Sequence, residues 1–161
     1  MTLRNIKSVQ KTLGLLLTVF SSTMLTPIVV ALIYQETTSL IFVASFLITG
    51  LFGLTLWLPA KKANTEIRLH EGFIIVASFW VVLALFGALP FFLLPELGLS
   101  VTNAVFESTS GLTTTGATIL TGLDELPRSL LFYRQQLQWL GGLGIVVLAV
   151  ALLPILGVGG M

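Results

Sequence analysis

The run Ser110-Gly111-Leu112-Thr113-Thr114-Thr115-Gly116-Ala117-Thr118 is the part of this chain whose residue types could do chemistry. Hydroxyls and backbone carbonyls are neutral oxygens, suited to a weakly held monovalent cation. A filter for such an ion replaces its hydration shell with rings of carbonyls, which requires unpaired carbonyls held in an extended strand. Gly116 suits that strand because it tolerates positive φ. Thr114 can add a hydroxyl oxygen beneath the carbonyl ladder, while Thr115 and Ala117 offer carbonyls and direct their side chains into supporting protein. The same run also reads as a Thr-rich external loop whose hydroxyls bond water and backbone. Spacing alone leaves both readings open.

Glu107 stands just before this run. A carboxylate at membrane depth is costly unless paired, so Arg134 or a nearby backbone amide is its expected partner; the other reading puts Glu107 near the outer interface, meeting water. Asp124 and Glu125 follow the run and either raise the local cation concentration or are simply solvated. Gly141, Gly142 and Gly144 suit close helix packing more than a gating bend. His70, the one histidine, has no second histidine for a metal site and reads as an interfacial anchor. Trp57 lies near a predicted membrane edge and reads as a belt residue, whereas Trp80 and Trp139 fit a belt or a core. The absence of cysteine removes disulfides, thiolate metal sites and cysteine nucleophiles together. Neither His-Glu-x-x-His, a P-loop nor Gly-x-Ser-x-Gly is present. No enzyme is expected, nor a covalent cofactor, and a net charge of +1 does not suggest nucleic-acid binding.

The elements that must position these residues are transmembrane. The chain is 55% hydrophobic and 9% charged, with a mean hydropathy of +1.02, where a soluble domain carries about a quarter charged residues. Intervals 12–35, 37–60, 72–95 and 135–161 contain no charge. A hydrocarbon core of roughly 30 Å needs about 20 apolar helical residues, so each interval can cross, and an all-α membrane protein with four transmembrane helices is expected. Pro27 should kink the first span. The first apolar run is too long for a signal-peptide core and reads as a retained span. Arg4, Lys7 and Lys11 precede span one, while Lys61, Lys62 and Arg68 separate spans two and three. The positive-inside rule puts both groups, and both termini, in the cytoplasm.

The chain thus divides into a leading hairpin (1–60), a polar linker (61–71) and a unit at 72–161 in which a long segment separates spans three and four. Within that segment Val101, Ala104, Val105, Phe106 and Leu112 predict a helix over about 102–112, with Ser100 or Thr102 as N-cap. At about 1.5 Å per residue it extends only about 17 Å and cannot span. A short half-apolar helix followed by the Thr/Gly run (113–118), set between two spans, is the pattern of a re-entrant pore loop. Non-helical backbone at membrane depth is tolerated where it lines a cavity or is buried in protein. The helix would aim the negative end of its macrodipole, near Leu112, at the ion path. No second Thr/Gly loop occurs in the leading hairpin, so one pore unit is present.

Phe106-Glu107-Ser108-Thr109-Ser110-Gly111-Leu112-Thr113-Thr114-Thr115-Gly116-Ala117-Thr118 closely resembles the first pore loop of Trk-type potassium uptake subunits, of the Trk/Ktr/HKT transporter superfamily. Glu71-Gly72-Phe73, Gly87-Ala88-Leu89-Pro90-Phe91, Phe132-Tyr133-Arg134-Gln135, Gln138-Trp139-Leu140-Gly141-Gly142 and Leu153-Pro154-Ile155-Leu156-Gly157-Val158-Gly159-Gly160-Met161 are similar to that family as well. The resemblance implies two leading helices and four helix, pore-loop, helix repeats around one potassium path, of which this N-terminal portion holds the hairpin and the first repeat. It places the filter on Thr114, Thr115, Gly116 and Ala117, flanked by Thr113 and Thr118. It also implies three downstream repeats, a homodimer, a cytoplasmic nucleotide-binding regulatory subunit and the cytoplasmic (inner) membrane bilayer as partners and setting. The rival reading is a non-conducting membrane scaffold or assembly module in which the Thr/Gly loop is a folded cap.

Overall fold

A chain with little water at hand must satisfy its backbone within each segment, and among the described residues every regular element is helical. The computed structural model describes residues 3–62 and 69–152, with side chains described within 6–62 and 72–146. Most of the expected linker, the side chains of His70 and Glu71, and the end of the fourth apolar interval lie outside these ranges. In chain order the helices are α1 (Leu3–Thr23), α2 (Leu25–Ile33), α3 (Ser39–Ala60), α4 (Leu69–Gly87), α5 (Leu89–Leu93), α6 (Val101–Leu112) and α7 (Arg128–Leu152). Single 3-10 turns at Pro95–Leu97 and Leu123–Glu125 flank the segment around α6. Three stretches, Ile6–Ile33, Ser39–Ala60 and Gly72–Leu93, are helical, long and apolar enough to cross a membrane.

Two of these stretches are broken, each just before a proline. The break in the first falls at Met24 rather than at Pro27 itself. Proline has no N–H, so the carbonyl of Thr23, four residues earlier, loses its helical donor. That carbonyl instead accepts from the Thr26 hydroxyl (2.7 Å) and from Nε2 of Gln136 on α7 (2.9 Å). The third expected span is not continuous either, because Pro90 divides it at Ala88 into α4 and α5. There the hydroxyl of Tyr133, on α7, donates to the Gly87 carbonyl at 2.9 Å. At Pro27 an α7 side chain thus engages the carbonyl the proline frees, and at the second break another engages the carbonyl at the end of α4.

Those contacts fix one core across the two sequence units. Leu17, Phe20, Met24 and Phe42 from the hairpin are buried with Leu83, Phe91, Leu112, Leu130, Tyr133 and Leu137. Tyr133 sits between Phe42 and Phe91, each with its ring centroid 5.5 Å away. Within the hairpin α1 and α3 touch backbone to backbone. A Cβ on Gly14 would lie 2.6 Å from the Trp57 nitrogen, and one on Gly53 would lie 2.8 Å from the Thr18 nitrogen, the close approach that small residues permit in membrane helices. Trp57 is half-buried with the Lys61 ammonium 5.2 Å from its ring centre, an arrangement that suits the edge of a span.

The turn between α2 and α3 reaches the start of α7. The first amides of a helix have no partner within it and attract negative charge. Here Glu36 supplies it: Oε1 accepts from the Arg128 N–H (2.6 Å), and Oε2 from the Ser129 N–H (3.1 Å) and the Ser129 hydroxyl (2.5 Å). The hydroxyls of Thr38 and Ser129 are 2.7 Å apart. Burial raises the carboxyl pKa of Glu36, but the hydrogen bonds from Ser129, Arg128 and Thr38 outweigh it and hold the group below its ordinary 4.5. Because the folded value is the lower one, this stabilisation is complete above the unfolded value and is lost as pH falls through the folded one. Glu36→Gln is expected to cost about 1 kcal/mol, the worth of a helix cap, and to flatten the loss of stability below about pH 4.5. Thermal unfolding in detergent across that range checks this; equal acid sensitivity of the two proteins would refute it.

Candidate functional site

The site is built on α6, whose start is set by Ser100. Its backbone is extended (φ −66°, ψ 159°) and its hydroxyl accepts from the Asn103 N–H at 3.2 Å, so Ser100, not Thr102, is the N-cap. The helix has 12 residues and rises about 18 Å. Ala104, Glu107, Ser108, Ser110, Gly111 and Leu112 are its buried residues, lying at the three- and four-residue spacing of one face together with their immediate neighbours. That face meets α7 at unusually short range. A Cβ on Gly141 would stand 1.9 Å from the Leu112 carbonyl oxygen, and one on Gly111 would stand 3.1 Å from Cβ of Leu137. Gly142 and Gly144 are less confined, with their nearest contacts at 3.9 and 3.4 Å. The helix α7 runs unbroken past all three, so at Gly141 glycine serves packing.

The C-terminus of α6 closes by a Schellman pattern. The Thr114 N–H donates to the Gly111 carbonyl (2.9 Å), and those of Thr115 and Gly116 donate to the Ser110 carbonyl (3.0 and 3.3 Å). This closure needs a left-handed residue, usually glycine, yet Thr114 fills it at φ +56°. Positive φ is unfavourable for a β-branched residue and costs of order 1–3 kcal/mol. Gly116 follows at φ +73°. Residues 113–119 are exposed, and among the described residues nothing donates to the carbonyls of Thr114, Thr115 or Gly116. The Ala117 carbonyl differs, since it accepts from the Ser110 hydroxyl at 2.6 Å. The hydroxyls of Thr113 and Thr115 lie 2.9 Å apart.

Glu107 holds the far end of the loop. It is 1% exposed. Its Oε1 accepts from the Thr118 hydroxyl, from the Ile119 N–H at 2.7 Å and from the Leu120 N–H at 3.4 Å. Its Oε2 accepts from Nε of Arg134, itself 7% exposed, at 3.2 Å. Arg134 and a backbone amide, the two partners considered from sequence, are thus engaged together. Asp124 and Glu125 stand exposed beyond the loop, apart from this cluster. Trp80 is half-buried and Trp139 exposed. Trp80, Val81, Ala84 and Leu85 of α4 and Val105, Thr109, Leu112 and Thr113 line an apolar hollow of about 320 Å³ beside the loop. Three contributions had no clear mark in the sequence: the left-handed Thr114, the double hold of Ser110 on the loop, and Glu36 at the head of α7.

Residues 38–161 match the family described as TrkH, cation transport protein. The chain is 54% identical over 157 residues to the Trk system potassium uptake protein TrkH of Halomonas elongata, covering 98% of this chain and 33% of that protein. It is 53% identical over 155 residues to the protein of the same name in Escherichia coli (strain K12), covering 96% and 32%. Its fold is similar to the crystal structure of the potassium transporter TrkH from Vibrio parahaemolyticus, with TM-score 0.90 and 51% identity over 97% of this chain and 33% of that one. The chain therefore spans about a third of the length of the relatives it matches.

Removing one member of a buried ion pair leaves an uncompensated charge and costs about 3–5 kcal/mol. Arg134→Met is expected to destabilise by about that much, and adding Glu107→Gln should recover a substantial part of the loss. Melting of single and double variants in one detergent measures this; costs that simply add would show that the two side chains act independently.

Proposed function

The chain belongs to the TrkH cation transport protein family, and from that premise we propose that it is the N-terminal portion of a transporter that takes up potassium through a carbonyl-lined filter. Residues 1–60 are the leading hairpin, 61–71 a cytoplasmic linker and 72–161 the first helix, pore-loop, helix repeat. In this reading α7 completes four transmembrane helices, α6 is re-entrant, and both ends face the cytoplasm in the inner membrane. Three further repeats close the path around the ion. The full-length protein is a homodimer and meets a cytoplasmic nucleotide-binding regulatory subunit.

The observation that carries the reading is the row of carbonyls on Thr114, Thr115 and Gly116 at the C-terminus of α6, which no donor among the described residues engages. Unpaired carbonyls at membrane depth are tolerated where they line a water-filled path, and the negative end of the helix macrodipole favours a cation beside them. Strain at Thr114 fits a segment whose conformation serves ligation rather than stability. Ala117 shares its carbonyl with Ser110 and keeps a second lone pair for the ion. Thr113 and Thr118 flank the filter, Thr118 tied to Glu107. The name of the relatives supports potassium as the cargo.

Gly116 offers the cleanest test. Within this chain a Cβ there meets nothing within 4 Å, so a substitution strains the backbone, where a left-handed non-glycine residue costs about 1–2 kcal/mol. In the full-length transporter Gly116→Ser is expected to lower potassium-over-sodium discrimination several-fold at normal membrane abundance. Rubidium and sodium uptake in vesicles measures the ratio; an unchanged ratio removes Gly116 from the filter.

A further inference from the structure

We infer that Ser110 is a positioning residue for the filter and that its hydroxyl, by holding the Ala117 carbonyl, sets ion discrimination. The inference rests on the filter reading above and goes beyond it, since Ser110 itself touches no ion.

The geometry begins with the peptide plane, in which the C=O of one residue and the N–H of the next point in opposite directions. The Thr115 and Gly116 N–H groups both point at the Ser110 carbonyl. The carbonyls of Thr114 and Thr115 therefore point away from α6, towards the open side. The Ser110 hydroxyl then takes the Ala117 carbonyl at 2.6 Å. One buried residue, 6% exposed, thus grips the loop from both sides, turning two carbonyls outward through its own backbone and restraining a third through its side chain.

This use of the hydroxyl is specific. Serine and threonine within helices commonly return their hydroxyl to a carbonyl one turn back, as Thr109 does to Val105 and Thr113 to Thr109 at 2.7 and 2.8 Å. Ser110 reaches forward instead. Ser108, on the same helix and fully buried, has a hydroxyl with no partner among the described residues, so a buried hydroxyl on α6 is not by itself a hold on the loop. Beyond Ala117 the carboxylate of Glu107 takes over at Thr118, Ile119 and Leu120. The Ala117 peptide is the junction between the two holds, and the Ser110 hydroxyl is what keeps its carbonyl from turning.

Ser110→Ala keeps the backbone carbonyl and removes the hydroxyl alone. In the full-length transporter in vesicles it is expected to lower the potassium-over-sodium uptake ratio about three- to ten-fold, the scale of one hydrogen bond. Ser110→Thr should restore the ratio and Ser108→Ala should leave it at the parent value. If Ser110→Ala fails to reach the membrane, Ser110→Cys, a weaker donor, should give a ratio between parent and the low value of Gly116→Ser. A parent-like ratio in the Ser110 variant measured, with the Gly116→Ser ratio lowered, overturns the role of Ser110 and leaves the filter reading standing. Parent-like ratios in both remove the filter reading itself. An equal fall in Ser108→Ala and Ser110→Ala overturns the inference in favour of general loosening of α6.

Discussion

A loop that presents its carbonyls outward has surrendered the hydrogen bonds that hold ordinary secondary structure together, and something else must hold it. Here that is the buried carboxylate of Glu107. Desolvating a carboxylate costs several kcal/mol, offset by the guanidinium of Arg134, the Thr118 hydroxyl and the amides of Ile119 and Leu120. A single side chain on α6 thereby fastens residues 118–120 to α7. Without it the loop would keep only the hold of Ser110 at its start, and residues 118–120 would lose theirs.

The frame extends outward from that point through α7. Arg134 reaches the loop, Tyr133 the break at Gly87, Gln136 the carbonyl freed by Pro27, and the amides of Arg128 and Ser129 the carboxylate of Glu36. Residues within the first turns of one helix, between 128 and 136, thus touch the Thr/Gly loop, the α4–α5 break and the leading hairpin. The hairpin, which bears no ion ligand in the proposed reading, still contributes: it supplies part of the core around Tyr133 and caps the helix that positions Arg134. Close contact between Gly141 and Leu112 fixes the height of α6 against α7. Dispersion, capping and the ion pair all converge on one helix.

Much of this was legible in residue types. The first three charge-free intervals marked the three long apolar helical stretches, and the short apolar stretch near Ala104 and Leu112 appeared as a helix with only its first residue displaced. Pro27 signalled a break, although the break falls at Met24 because proline disturbs the turn before it. Pro90 within Gly72–Leu93 carries the same signal, yet the apolar run around it is continuous and reads as one span. Thr114 was not legible as a left-handed residue, since its branched side chain argues against that conformation and tertiary restraint overrides the preference. Neither was the pairing of Glu36 with Arg128 and Ser129, 92 and 93 positions away in sequence. Long-range caps leave no local spacing to read.

In the proposed function the carbonyls of Thr114, Thr115 and Gly116 take the place of water around a potassium ion. Anomalous diffraction from crystals of the full-length transporter grown in rubidium addresses it most directly, because rubidium marks potassium sites by its own scattering. An anomalous peak bounded by carbonyl oxygens of these residues is expected, with the Ala117 carbonyl still turned to Ser110. Rubidium peaks along the path but none beside this loop, with its carbonyls bonded to protein donors instead, would contradict it.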